Sequence, residues 1–241
     1  MPRNPIWRAI AETLEAEISA GLYRAGERLP TEQVLSRRFG VNRHTVRRAL
    51  GDLGARGITL SRRGAGVFVT APAVEYPLGR RVRFHQNLAA AGMAATREIL
   101  RLETRFTDAA EALMLKLRAT GKVHVCEGVS LADGVPVATF ISVFPAARFP
   151  DLPAHLARTG SVTEAFALSG LPDYTRAETR VTARAATALQ ALHLRIDEHA
   201  PILHSVSLNT DPAGQPVEYG QAWWAGERVT LTLAGNDLRE A

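Results

Sequence analysis

Residues 41–50, VNRHTVRRAL, bring Arg43, His44, Thr45, Arg47 and Arg48 together within a few positions. These side chains share one chemistry. A guanidinium donates paired hydrogen bonds to guanine O6 and N7, a threonine methyl meets thymine, and any of them can hold a phosphate. His44 suits a phosphate and a base edge equally well. Gln33, a few residues upstream, is placed for the sugar-phosphate backbone or an outer base. Farther along, Arg62-Arg63-Gly64 forms a second basic point. Gly64 lets a backbone approach closely, and Arg63 is drawn to the negative potential of a minor groove. The chemistry indicated is recognition of double-stranded DNA.

Such residues work only if the chain presents them. Ile6, Ile10, Leu14 and Ile18 recur every fourth residue and predict a helix with one apolar stripe, stopped at Gly21. A short helix over Thr31–Phe39 follows and turns at Gly40-Val41. Asn42 caps a third helix, whose Val46, Ala49, Leu50 and Leu53 form the inner stripe while Arg43, His44, Arg47 and Arg48 point elsewhere. Gly57 ends it, and Ile58–Leu60 with Val67–Val69 make a hairpin. This is a winged helix-turn-helix. An arginine-rich helix by itself is usually a solvated face, but here the turn, the cap and the wing agree with it.

Residues 71–82 carry two prolines and no periodicity, so a linker is expected between a DNA-binding domain over 1–70 and a second domain over 83–241. The second domain alternates strands and short helices. Strands are expected at 97–106, 123–131, 135–144, 174–184, 202–210, 216–224 and 228–233, and helices at 109–117, 161–169 and 185–194. Ala132-Asp133-Gly134 and Asp211-Pro212-Ala213-Gly214 are hairpin signals. Consecutive hairpins imply an α+β domain, an antiparallel sheet with helices on one face. No internal repeat is visible.

The net charge of +5 lies entirely in the first third. Residues 1–75 hold 12 arginines against 7 acids, and the remainder holds 17 groups of each sign. Only the first third is built to meet phosphates. No apolar run approaches the ~18–20 residues of a membrane span, and no signal-peptide core begins the chain, so no membrane association and a cytoplasmic location are expected. The single Cys126 sits in an apolar run and reads as a buried thiol. The histidines show no ligand spacing, and neither a metal nor a cofactor is expected.

Residues 6–70 resemble the DNA-binding domain of GntR-family transcription factors: LPTE at 29–32, VNRHTVRRAL at 41–50 and GAGVFV at 64–69 match that family's pattern. The resemblance implies DNA contacts at Gln33, Arg43, His44, Thr45, Arg47, Arg63 and Gly64. Position 33 is often arginine in the family, and Gln33 departs from that. The hairpin-rich remainder resembles the HutC branch, whose effector domain (UTRA) has a chorismate-lyase-like fold. Within it, YPLGRRVRFHQNL, FPAARFPDLP, GSVTEAF, DYTRAETRVTAR and DPAGQPVEYG are similar to regulators of phosphonate metabolism.

Effectors of that branch are typically small and often anionic. An anion needs guanidinium forks, hydroxyls and backbone amides. The candidates are Arg83 on the loop entering the domain, Ser161 and Thr163 opening a helix, Tyr174 with Arg176 and Arg180 on one face of a strand, and Glu218 and Tyr219 after the second hairpin. Each has a plainer role open to it: Ser161 as a helix cap, the strand arginines as surface ion-pair partners, and the arginines of 80–83 on DNA or a dimer mate. The expected protein is a homodimeric repressor on a palindromic operator, released by a phosphonate or phosphate ester. A sugar phosphate, an amino-acid derivative or a fatty acid remains an alternative effector. A lyase-like enzyme is the remote alternative, but no catalytic constellation stands out.

Overall fold

The computed structural model describes residues 5–62, 64–70, 73–81 and 83–233. The chain divides into two compact units, Met1–Pro72 and Ala73–Ala241.

In the first unit, helix α1 (Ile6–Ser19) buries Ile10, Ala11 and Leu14. Helix α2 (Glu32–Phe39) is capped by Thr31, whose hydroxyl accepts from Val34 N–H, and it stops at Gly40 in the left-handed conformation. Helix α3 (Arg43–Ala55) is capped by Asn42, whose Oδ1 accepts from Thr45 N–H at 2.9 Å and from Thr45 Oγ1 at 3.0 Å. Its buried stripe is Val46, Ala49, Leu50 and Leu53. These side chains join those of α1 and Leu29, Leu35 and Val69 in a single core. Strands β1 (Thr59–Arg62) and β2 (Gly66–Val69) pair antiparallel as the wing. Arg28 lies against the wing at Gly66, where an added Cβ would come within 2.6 Å of the Arg28 Nε.

The second unit opens with a departure from expectation. Part of the supposed linker is strand β3 (Val74–Pro77), which buries Val74 and Tyr76. It pairs in parallel with β10 (Val229–Thr232), a partner more than a hundred residues away that local periodicity cannot reveal. Helix α4 (Phe84–Ala90) comes next and buries Phe84 and Leu88, over residues with no element expected from the sequence.

The remaining strands are β4 (Ala95–Phe106), β5 (Lys122–Ala132), β6 (Val135–Pro145), β7 (Thr175–Ala185), β8 (Pro201–Thr210) and β9 (Pro216–Ala225). They form an antiparallel sheet in the order β4-β5-β6-β9-β8-β7. The order is that of two three-stranded meanders joined at β6 and β9. Each meander runs strand, capped helix, hairpin. Helix α5 (Ala109–Met114) begins in a capping box of Asp108 and Glu111, and α8 (Ala188–Leu194) in one of Thr187 and Gln190. A structural repeat is therefore present that the side chains do not spell out, because the halves share backbone pattern rather than residues. The β5–β6 turn is Asp133-Gly134, both with positive φ, as a two-residue hairpin requires.

Helices cover both faces of the sheet, not one. Helices α6 (Leu152–Thr159) and α7 (Val162–Leu168) pack on Cys126, Phe140, Phe144 and Val217. The opposite face carries Val123, Val125, Val143 and Tyr219 beside Leu115, just after α5. Ile202 and Trp223 pack with Ala191 and Leu194 of α8. Among the described residues, no helix is long and apolar enough to cross a membrane.

Candidate nucleic-acid interface and effector cavity

Each unit presents one candidate site. On the first, Gln33, Arg43, His44 and Arg47 are exposed and Thr45 is half-buried by its bond to the cap. Gly64 is exposed with φ at +75°, a conformation that favours glycine at the wing tip. Arg63 lies outside the described residues. Arg47 forms a two-point pair with Glu32, Nε to Oε1 at 3.0 Å and Nη2 to Oε2 at 2.8 Å. That contact holds the Glu32 carboxyl below its usual range and fixes Arg47 at the junction of α2 and α3. Arg48 turns back and lies over the Trp7 ring at 4.7 Å. Capping by Asn42 thus leaves the first turn of α3 bearing Arg43 and His44 outward, while Arg47 stands pre-positioned one turn on.

On the second unit, a cavity of about 80 Å³ lies on the sheet face that α4 and α7 cover. Its polar lining includes Arg97, Thr163, Tyr174, Arg176, Asn209 and Glu218, together with Ser130, Ser142, Ser205 and Ser207. Arg176 donates Nε to Asn209 Oδ1 at 2.7 Å and Nη1 to Thr179 Oγ1 at 3.0 Å. Burial lowers its pKa, opposed by the charge of Glu218. Asn209 passes the connection on, its Nδ2 donating to Glu218 Oε2 at 2.6 Å, while Ser142 donates to Oε1 at 2.7 Å. Thr163 and Tyr174 share a hydroxyl–hydroxyl bond of 2.9 Å. Burial pushes the Tyr76 phenol up to about 12, so it meets a ligand as a neutral donor.

Arg97 is the residue that sequence reasoning missed. It pairs with Ser130 across β4–β5 as Arg176 pairs with Asn209 across β7–β8. The same offset separates Arg97 from Arg176 and Ser130 from Asn209, so the two meanders each place one arginine in the cavity from equivalent positions. The guanidinium of Arg97 lies over Phe140 at 4.6 Å and Phe84 at 5.1 Å, and its buried Nε has no hydrogen-bond partner among the described residues. The only local signal was its place at the start of an alternating strand.

Four expected ligands are corrected. Arg83 is the loop residue just before α4. It is buried, its Nη2 is 2.7 Å from Asp173 Oδ1, and it lies on the Tyr174 ring outside the cavity lining. Ser161 is spent as a cap: it is buried and accepts from Glu164 N–H at 3.3 Å, while its neighbours Val162 and Thr163 line the cavity. Arg180 does not share a face with Arg176, because a bulge between Arg176 and Glu178 inserts one residue and reverses the alternation beyond it. It pairs with Glu178 in a second cleft, on the opposite face. Tyr219, adjacent to Glu218 on a strand, necessarily faces that same opposite cleft. Trp224 lines the cavity and donates Nε1 to Ser205 Oγ at 2.9 Å, whereas Trp223 stacks on His204 at 4.8 Å on the other side.

A capped recognition helix with a wing, followed by a helix-covered sheet enclosing a polar cavity, defines a ligand-responsive DNA-binding regulator. Residues 7–69 match the gntR family of bacterial regulatory proteins and residues 90–230 match the UTRA domain. The chain belongs to the GntR family, in its HutC-like, UTRA-bearing branch. An uncharacterised HTH-type transcriptional regulator of Rhizobium meliloti (strain 1021) is 35% identical, over 95% of this chain and 94% of its own length. The probable transcriptional regulator PhnF of Escherichia coli (strain K12) is 31% identical, over 94% of each chain. The crystal structure of PhnF from Mycobacterium smegmatis superposes with a TM-score of 0.63 at 25% identity, covering 93% of this chain and 98% of that one. These relatives are regulators, and this chain is a transcriptional regulator, not an enzyme.

Proposed function

We propose that the protein is a cytoplasmic homodimeric repressor that holds a palindromic operator and releases it when a small phosphonate or phosphate ester enters the cavity of the second unit. The observation that carries this reading is the pair of arginines, Arg97 and Arg176, delivered from equivalent strand positions into one cavity ringed by serine, threonine and tyrosine hydroxyls. Forked cations with neutral donors around them suit a tetrahedral oxyanion. The resemblance of the sequence motifs to regulators of phosphonate metabolism, with the similarity to PhnF beside it, favours the phosphonate class. Dimerisation follows from the reach of a single recognition helix, which reads too few bases unless two copies match a two-fold site.

Coupling is built into the chain. Tyr76, Leu78, Phe84 and His85 line the cavity, and they belong to the first segment after the boundary at Pro72. A ligand that reorders them acts on the chain leaving the DNA-binding unit, and its differential affinity for the two arrangements sets the size of the response.

The test begins with an operator selected from random duplexes. Fluorescence anisotropy then follows release by methylphosphonate, inorganic phosphate, a sugar phosphate, an amino acid and a fatty acid. Release by the phosphonate or a phosphate ester is expected, and it is lost in Arg97→Ala and Arg176→Ala. Release by the amino acid or the fatty acid alone, or unchanged release from both variants, overturns the reading.

A further inference from the structure

The cavity contains formal charges that do not meet. Glu218 is buried with its carboxylate among the lining groups, yet its bonds come only from the neutral donors Ser142 and Asn209. Arg97 lies between two aromatic rings with its Nε unsatisfied. Arg176 reaches Glu218 only through the side chain of Asn209. Among the described residues, none of these three groups has an ion-pair partner. Elsewhere in the same unit, buried Arg83, half-buried Arg105 and the more exposed Arg148 do find carboxylates, in Asp173, Glu111 and Asp211 respectively. Charges taken from water are ordinarily paired, because an isolated one is costly. Both signs occur in one cavity with their pairing incomplete.

Resting on the reading of this cavity as an effector site, we infer that the effector is a small zwitterion, an oxyanion of the phosphonate or phosphate type joined by a short chain to a protonated amine. The oxyanion sits against Arg97, with the nearby hydroxyls completing its shell. The ammonium sits on Glu218. Each carboxylate oxygen of Glu218 holds one neutral donor and keeps a further lone pair, and a charged donor gains more there than a hydroxyl does. The charges then balance. Arg97, Arg176 and Glu218 together carry one net positive charge, and a doubly ionised phosphonate bearing one ammonium carries one net negative charge. His85, also in the lining, is held toward its neutral form by burial and by Arg97, so it adds no competing cation near neutral pH.

Calorimetric titration of the full-length protein with 2-aminoethylphosphonate, 2-hydroxyethylphosphonate and ethylphosphonate tests this. The amine should bind about tenfold or more tightly than either analogue, the increment of one charge-assisted bond in a desolvated site. Glu218→Gln, equal in shape and without charge, should erase that preference, and Arg97→Ala should weaken all three ligands. Because the ligand series alone decides the point on the wild-type protein, the inference stays testable even if a variant folds poorly. Equal affinity for the three ligands, or preference for the hydroxyl analogue, overturns the zwitterion and leaves the anion site standing. Absence of binding by all three overturns both.

Discussion

At the scale of single residues, Arg43 and Arg83 were both expected to touch a ligand, and only one stands free to do so. Arg43 is exposed on the first turn of α3. Arg43→Ala should weaken specific operator binding by about 1–3 kcal/mol and relax the preference at one base pair per half-site. Titrations on specific and random duplexes check this, and equal losses on both would make Arg43 a phosphate contact. Arg83 is committed to Asp173. Because Asp173 keeps 38% of its side chain exposed, water screens the pair, and Arg83→Ala should cost only about 1–2 kcal/mol of stability. Thermal melting reads that loss. Effector-driven release should survive in this variant, and its disappearance would return Arg83 to the binding machinery.

At the scale of elements, β5 shows how closely the cavity floor is built. Gly128 faces the backbone carbonyl of Glu98, and an added Cβ would also lie 2.9 Å from the Phe140 ring that supports Arg97. Gly128→Ala should therefore overpack the sheet by about 1–3 kcal/mol. At this chain length that lowers the melting temperature by about 2–12 °C. An unchanged melt would mean that β4 can yield at its bulge between Ile99 and Arg101. The wing belongs to the same scale. Arg63, outside the described residues, sits at its tip in sequence, and Arg63→Ala should reduce the salt slope of operator binding by about one unit per subunit. An unchanged slope would take the wing off the DNA.

At the scale of the whole molecule, the two units have separate cores. One is assembled from α1, α2, α3 and the wing, and the others from the sheet and its helices. The excess of positive charge belongs to the first unit alone. A fragment of residues 73–241 should accordingly fold, sediment as a dimer and fail to retain operator DNA. Light scattering that reports a monomer would move the dimer contact into the DNA-binding unit. The fragment should also bind the effector, since every lining residue of the cavity lies within it.

The sequence by itself determined the winged helix and the hairpins, because those rest on local physics. Thr31 and Asn42 cap helices through their own neighbours, glycines end them, and apolar spacing repeats at the period of the element. It also located the excess positive charge in the first third, since charge is additive. Four of its candidates, Thr163, Tyr174, Arg176 and Glu218, line one cavity. Tertiary structure alone decided the rest. The parallel pairing of β3 with β10 made a strand from a supposed linker, because its partner is remote in sequence. A single inserted residue in β7 sent Arg180 to the far face, which alternation cannot foresee. Asp173 claimed Arg83, while no carboxylate among the described residues pairs with Arg97. Which arginine is available for a ligand depends on which charges the fold has already brought together, and those meetings are made by packing across the chain rather than along it.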